Sequence, residues 1–460
     1  MNHFFLTPEF VVVLQIKGKH VVCNRYRDWK WLGLLLFLVL SGGQVILGQE
    51  GESRQHVAAT DGIVDSSTLT GKVMCGYQGW FSCSGDGSRL GWIHWGRSAH
   101  ESFGPGNVTV DLWPDVREFS DEERYATDFR HSDGSVAEVY SSANRKTIDR
   151  HFRWMREYGI DGVFMQRFAN GLKSNRLKAQ KNKVLFHAHR AASETGRVLA
   201  VMYDLSGLKK GQLLRVHDDW RQLERDGITA GGRYLKHEGK PLVAVWGVGF
   251  GDDRDYGLAE CGELIDALKS EGCAVMLGIP SWWREQKRDA VKDPRLHEIL
   301  KKADILSPWT IGRYRSPDEA SLHGSRVWKP DLAWCAKHDM DYLPVVFPGF
   351  SWRNLRGGEL GAIPRLKGQF LWSQFRAVKQ TGAAMVYVAM FDEVDEGTAI
   401  FKCSNDPPVG KDVSFLTYEG LPTDYYLRLT GEGGRLLRGE LPLDSPLPIA
   451  RPESPAKVSP

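Results

Sequence analysis

Along the chain, near-continuous apolar runs recur at a regular spacing, at 73–81, 162–168, 198–205, 241–250, 274–283, 305–314, 343–352 and 383–391. Runs of this length with little polar interruption predict strands buried on both faces, as in a parallel sheet. Between most neighbours the apolar positions switch to a helical period. Ile148, Phe152, Met155 and Tyr158 precede the second run, Leu258, Cys261, Ile265 and Leu268 the fifth, and Leu366, Phe370, Gln374, Phe375 and Val378 the eighth. Strands alternating with helices predict right-handed βαβ units, and eight repeats predict a single (β/α)8 (TIM) barrel of the α/β class over residues 69–440. Segment 82–147 then becomes a long insertion after strand 1, expected to fold over the barrel mouth. A final helix is expected near 422–438. Residues 49–68, polar and rich in Gly, Ser and Asp, read as a linker, and the Pro-rich tail 441–460 is expected to be disordered.

The eighth run ends in Asp392, Glu393, Asp395 and Glu396, followed by Gly397-Thr398. In a (β/α)8 barrel the C-terminal ends of the strands carry the active site. Those ends deliver Gln78, Trp80 and Phe81; Gln166 and Arg167; Tyr203 and Asp204; Trp246; Trp282 and Trp283; Trp309 and Arg313; Phe350, Ser351 and Trp352. Any one of these ordinarily packs a rim or caps a helix, and an isolated acidic cluster is ordinarily a solvated turn. Their convergence on one rim predicts a site. Glu393 and Glu396 are the candidate catalytic pair. Trp80, His94, Trp95, Gln166, Arg167, Tyr203, Asp204, Trp246, Trp309, Trp352, Asp392 and Asp395 are the candidate substrate-binding residues. Close carboxylates cannot both ionise cheaply, so one stays protonated while the other carries charge. That division supplies the acid and base that cleave a glycosidic bond, and aromatic faces beside it suit sugar rings.

Composition sharpens this picture. Sixteen Trp are present, and Lys+Arg 60 against Asp+Glu 57 leaves a formal charge of +3 with no long basic block. Nothing predicts a nucleic-acid or membrane-surface partner; a carbohydrate substrate and a monomeric chain are expected. At the N-terminus, Arg25, Arg27 and Lys30 precede an apolar stretch and then Ser41-Gly42-Gly43, so residues 1–48 read as a signal peptide or an N-terminal anchor through 31–48, with a secreted or periplasmic protein as the consequence. Removing that leader leaves Cys75, Cys83, Cys261, Cys273, Cys335 and Cys403, an even number for which disulfides are permitted. No cofactor and no metal site are expected. There is no Cys-x-x-Cys pair or Gly-x-Ser-x-Gly elbow, and the single His-x-His pair, His187 and His189, falls in a helical stretch.

Glu393-Val394-Asp395-Glu396-Gly397-Thr398 resembles the Glu-Trp-His-Glu-Gly-Thr motif of the glycoside hydrolase family 99 endo-α-1,2-mannosidases. The wider chain is similar to bacterial and fungal proteins described as family 71/99-like and often labelled xylosidase/arabinosidase. The resemblance rests on Val73-Met74-Cys75-Gly76-Tyr77-Gln78-Gly79-Trp80-Phe81, His94-Trp95, Asp111-Leu112-Trp113-Pro114-Asp115, the segment from His151 to Gly162, Tyr203-Asp204-Leu205-Ser206-Gly207 and Phe347-Pro348-Gly349-Phe350-Ser351-Trp352. It implies that Glu393 deprotonates the sugar 2-hydroxyl, that Glu396 protonates the departing oxygen and later activates water, and that configuration is retained. The chain departs from the motif at Val394-Asp395 and has no counterpart of the family's His-Ile-Glu-Pro-Tyr segment, which leaves the sugar open. The alternative to a secreted glycosidase acting on α-linked glycans is a non-catalytic glycan-binding barrel. The presence of both glutamates favours the enzyme.

Overall fold

The computed structural model describes residues 62–448 and, separately, an antiparallel hairpin of Val12–Ile16 with Lys19–Cys23. The apolar stretch 31–48 expected to form a signal or anchor lies outside the described residues, as do 49–61 of the expected linker and 449–460 of the expected tail. No helix among the described residues is long and apolar enough to cross a membrane.

Each of the eight apolar runs overlaps a barrel strand: β1 Val73–Tyr77, β2 Gly162–Phe168, β3 Val198–Asp204, β4 Lys240–Trp246, β5 Ala274–Pro280, β6 Ile305–Trp309, β7 in two pieces, Asp341–Tyr342 just before the expected run and Val345–Val346 within it, and β8 Val386–Val388. All neighbouring pairs are parallel. The first piece of β7 pairs with β6 and the second with β8, so the sheet begins and ends on the same strand and closes into a barrel. Pro344 explains the break. It has no N–H to add to the ladder, yet its carbonyl accepts from Tyr387 N at 3.0 Å while Leu343 N donates to Leu306 O at 2.9 Å, so hydrogen bonding passes through the gap.

The helices follow the predicted periods. Helix α1 (Arg145–Glu157) starts where the Asn144 side chain accepts from Lys146 N, and it buries Ile148, Phe152 and Met155. Helix α2 (Asn175–Thr195) is capped by Ser174 and stopped by Gly196 at φ 70°, and α3 spans Leu214–Arg225. Helix α4 (Leu258–Ser270) buries Leu258, Cys261, Ile265 and Leu268. After α5 (Leu296–Leu300), α6 begins at Pro317–His323, passes through a π-turn at Gly324–Trp328 and continues as Lys329–Lys337. Helix α7 (Gln369–Thr381) buries Phe370, Gln374, Phe375 and Val378; Leu366, expected in the same helix, stands before it in a 3-10 turn and is exposed. The final helix, α8, is Tyr425–Arg438.

Two glycines make room in the barrel lumen. A Cβ on Gly76 would sit 2.3 Å from the Tyr387 hydroxyl, and one on Gly278 would sit 2.3 Å from Trp246 Cδ1. Large aromatic side chains can therefore cross the lumen just beneath the mouth, where close packing leaves no space for both.

The insertion after β1 carries a hairpin, Arg124–Arg130 with Val136–Tyr140, over a cluster of Trp95, Phe103, Trp113, Phe129 and Tyr140. It bonds to the loops after β7 and β8. Asp111 N donates to Val394 O at 2.9 Å, and the Asp111 carboxylate accepts from Arg353 N and Asn354 N at 2.7 Å each. From residue 62 onward the expected linker is tied to the barrel, with Val64 N on Gly196 O and Lys236 N on Ser66 O. The tail expected to be disordered from Leu441 lies against the body through residue 448, where Trp372 Nε1 donates to Ser445 O and the Tyr425 hydroxyl to Pro448 O. Cys75, Cys83, Cys261, Cys273, Cys335 and Cys403 are buried and unbridged, so the even count corresponds to packing rather than to disulfides.

Candidate active site

The acidic turn after β8 is fastened to the end of β1. Both oxygens of the fully buried Asp392 accept backbone donors, Gln78 N at 2.7 Å and Gly79 N at 2.8 Å. The side chain of Gln78 continues the link, its Nε2 donating to Glu393 Oε1 at 2.8 Å. Glu393, 5 % exposed, also meets the Thr398 hydroxyl at 3.4 Å. On the other side of the turn, Ser351 N donates to the Glu396 carbonyl at 2.9 Å, which ties the turn to the loop after β7. The two glutamates are thus held by three different strand ends.

Of the four carboxylates in five positions, Asp392, Glu393 and Glu396 have raised proton affinity, because burial and neighbouring negative charge both disfavour the ionised form. Burial pushes Asp392 up to about 7, against its two backbone donors. Burial, then the charges of Glu396, Asp395 and Asp392, hold Glu393 well above the ordinary carboxylate range, and the Gln78 amide only partly offsets this. Glu396, partly exposed, is pushed up to about 7 by burial and then by Asp395, opposed by a hydrogen bond from Trp352 and the charge of Arg356, while Asp204 raises it further. The Glu393–Glu396 pair therefore binds a proton near neutrality and can act as acid and base together.

Around the pair, Trp80 and His94 stack face to face with centroids 3.7 Å apart, and His94 Nδ1 lies 3.6 Å from Asp395 Oδ2. His94 holds this place with φ 63°. Phe168 extends the aromatic wall, 5.1 Å from Trp80. Inside the lumen Gln166 Nε2 donates to the Tyr387 hydroxyl at 3.0 Å, and Trp309 stands 6.2 Å from Tyr387 and 5.6 Å from Trp246. The Arg254 guanidinium lies over the Trp246 ring, 5.0 Å from its centroid. Trp352 is 40 % exposed beside Phe350, free to present a face to a ligand. Asp204 faces the lumen, accepts from Ser206 N at 2.6 Å and is raised by burial.

Three candidates from the sequence do not meet the site. Trp95 is fully buried between Phe81, Phe103 and Tyr140, and its Nε1 donates to Tyr140 O at 3.2 Å; it is core of the insertion. Arg167 turns outward to Asp219 of α3, with its Nη2 2.9 Å from Asp219 Oδ1 and 2.7 Å from Asn182 Oδ1. The Tyr203 hydroxyl donates to the same Asp219 at 2.9 Å. The reason is strand geometry: successive side chains point to opposite faces, so of the pairs Gln166-Arg167 and Tyr203-Asp204 only one member can face the lumen. Gln166 and Asp204 are those members.

Gln78 was read at the rim but not named among the candidate substrate-binding residues, since it carries no charge to mark it. Tyr387 and Lys181 escaped the sequence reading; Tyr387 lies within β8, two positions from the Ala389 that precedes the turn. Lys181 comes from α2 and places its ammonium 5.6 Å from the Phe168 ring. Among the described residues no group of three or more His, Cys, Asp or Glu side chains is arranged to hold a metal ion. His187 and His189 both lie on α2, with His189 Nε2 2.9 Å from Ala230 O.

No family model matches the chain, and no curated protein matches it. Among solved structures it is similar to the GH99 endo-alpha-mannosidase from Bacteroides thetaiotaomicron, at 17 % identity and TM-score 0.59 over 81 % of this chain and 99 % of that one. A structure of that endo-alpha-mannosidase in complex with bis-tris propane matches with the same identity and coverage at TM-score 0.58. The chain has the fold of a GH99-like glycoside hydrolase.

Proposed function

We propose that this protein is a glycoside hydrolase that cleaves α-linked oligo- or polysaccharide with retention of configuration, using Glu393 and Glu396. The observation that carries the reading is the pair itself: two glutamates with raised proton affinity at the C-terminal mouth of a parallel barrel, walled by Trp80, His94 and Trp352. The motif resemblance to families 99 and 71/99-like supplies the order of events. Glu393 takes the proton of the sugar 2-hydroxyl as O2 attacks C1, forming a 1,2-anhydro sugar, while protonated Glu396 passes its proton to the departing oxygen. Glu396 then deprotonates a water that opens the anhydro ring at C1, and Glu393 returns its proton to O2. Two inversions at C1 give net retention.

High proton affinity suits both tasks. An alcohol is a weak acid, so the base that removes its proton gains from a conjugate acid of high pKa. The acid near 7 donates efficiently at neutral pH. The productive state has the proton on Glu396 and the charge on Glu393, and the strongly raised Glu393 makes this the minor arrangement of a singly protonated pair. The singly protonated pair is populated between its two titrations, so kcat/KM is expected to rise through about 7 on the acid side and to fall only at higher pH, the limbs belonging to the pair rather than to either residue. A plateau extending down to pH 5 would contradict this electrostatic arrangement. Incubation with a panel of α-linked oligosaccharides, with the first-formed anomer read by NMR, tests the reading directly: the product is expected to keep the anomeric configuration of the substrate, and an inverted product overturns the assignment of Glu393.

A further inference from the structure

Beside the catalytic pair a cleft opens between the end of β1, β2 and α2, lined by Gln78, Trp80, His94, Gln166, Gln180 and Lys181 among others, with Arg167, already paired with Asp219, at its wall. Its free volume of about 50 Å³ accommodates on the order of three or four waters. It is too small for a sugar ring and fits a ring substituent. The polar atoms around it are unequal in kind. Trp80 Nε1 and Gln180 Nε2 are buried donors without a hydrogen-bond partner, and Gln78 Oε1 is the one acceptor in the same condition among these lining residues. Lys181 adds a cation that makes no hydrogen bond or ion pair among the described residues and lies over the Phe168 ring at 5.6 Å.

Lys181 is partly buried and its ammonium keeps some contact with water, but burial weakens that hydration and no carboxylate pairs with it, so an anion arriving there gains a charged partner. Burial and the charge of Arg167 lower Lys181 to about 8, so it still carries its charge at neutral pH. The nearest carboxylates act on it only at a distance. Asp219 is taken by Arg167 and Lys178, and Asp204 by Ser206 N. Donors outnumber acceptors around a lysine that is not neutralised, which is the complement of a group with several acceptor oxygens and a negative charge.

From this we infer that the cleft is a subsite for an anionic substituent on the substrate sugar, a carboxylate or a sulfate ester, bound by Lys181 with Trp80 and Gln180. The inference rests on the glycan-processing reading above and deepens it. Gln78 connects the two places: one end of its amide touches Glu393 and the other faces no partner. A sugar held over Trp80 and His94 beside Glu393 can thus reach the cleft with one exocyclic group.

The test is a binding titration of the intact chain, followed by calorimetry, with methyl α-glucuronide, methyl α-glucoside 6-sulfate and neutral methyl α-glucoside. Wild type is expected to prefer at least one anionic probe over the neutral one by about ten- to a hundredfold. The preferred probe identifies carboxylate or sulfate as the group. Lys181→Gln is expected to abolish the preference, and Lys181→Arg to keep most of it, with an unchanged unfolding midpoint in both. Equal binding of charged and neutral probes by wild type, absence of binding by both anionic probes, or an undiminished preference in Lys181→Gln overturns the inference. If a neutral oligosaccharide is hydrolysed while the anionic preference is absent, the subsite alone fails; a preference without hydrolysis of any glycan leaves the subsite standing and removes the enzyme.

Discussion

Replacing Glu396 by Gln is expected to lower kcat by about 10²–10⁴-fold, the range of a lost general acid–base, with folding intact. The side chain lies at the mouth and is partly exposed, so the isosteric amide leaves no buried charge behind and relieves the repulsion from Asp395. The loss depends on the leaving group. An aryl glycoside with an acidic phenol needs little protonation, so the variant should recover on it in the glycosylation step, whereas an oligosaccharide leaving group should not be rescued. Glu393→Gln behaves differently: without a base for the 2-hydroxyl, both substrates should fail. Steady-state kinetics on the two substrate types, with circular dichroism as the fold control, checks this. A Glu396→Gln protein that releases sugar from oligosaccharide at the wild-type rate would sink the assignment, and a wild-type protein that binds glycans without turning them over would leave the glycan-binding barrel.

The strands were legible because a parallel sheet is buried on both faces, so each β strand reads as an apolar run whatever its register. That property erases the alternation which would tell inside from outside. Arg167 and Tyr203 are adjacent in the chain to Gln166 and Asp204, and nothing in the run separates the member that enters the lumen from the one that meets α3. The break of β7 at Pro344 was visible in principle, since a central strand tolerates Pro poorly. Its consequence, a strand shared by both ends of the sheet, depends on closure, which is a property of the whole ring.

The acidic turn was legible for the opposite reason. Carboxylates directly after a buried strand stand against the local pattern, and residues that break a local rule cluster at functional sites. Only the folded arrangement distinguishes the four. Asp392 serves as a clamp on the backbone of Gln78 and Gly79, while Asp395 faces His94. The insertion was hardest to read. His94 and Trp95 are neighbours in a segment without periodicity, yet one stacks on Trp80 at the mouth and the other is fully buried among Phe81, Phe103 and Tyr140. Lys181 lies in a charge-rich stretch of α2 that reads as a solvated helix face, and only the packing of α2 beside Phe168 brings its ammonium to the cleft.

Arg167→Ala is expected to cost about 3 kcal/mol of stability, near the lower end for breaking a buried ion pair, while KM for a neutral substrate changes little. Both partners are about as buried as the core, Arg167 and Asp219 each 2 % exposed. The Arg167 charge and hydrogen bonds hold Asp219 below the usual carboxylate range in spite of burial. Removing the guanidinium leaves that carboxylate with Lys178 at 3.0 Å and the Tyr203 hydroxyl at 2.9 Å, which keeps the cost from reaching the upper end. The Asn182 amide loses its partner as well. Because the Asp219 carboxylate of α3 bonds to the strand ends β2 and β3, the double variant Arg167→Ala with Asp219→Ala should recover part of the loss: the buried carboxylate that has lost its main partner is then gone. Denaturant titration of the four proteins gives the coupling energy. A substrate-binding role for Arg167 predicts the reverse pattern, a raised KM at unchanged stability and no recovery in the double variant, and that result would return Arg167 to the site from which its outward orientation removes it.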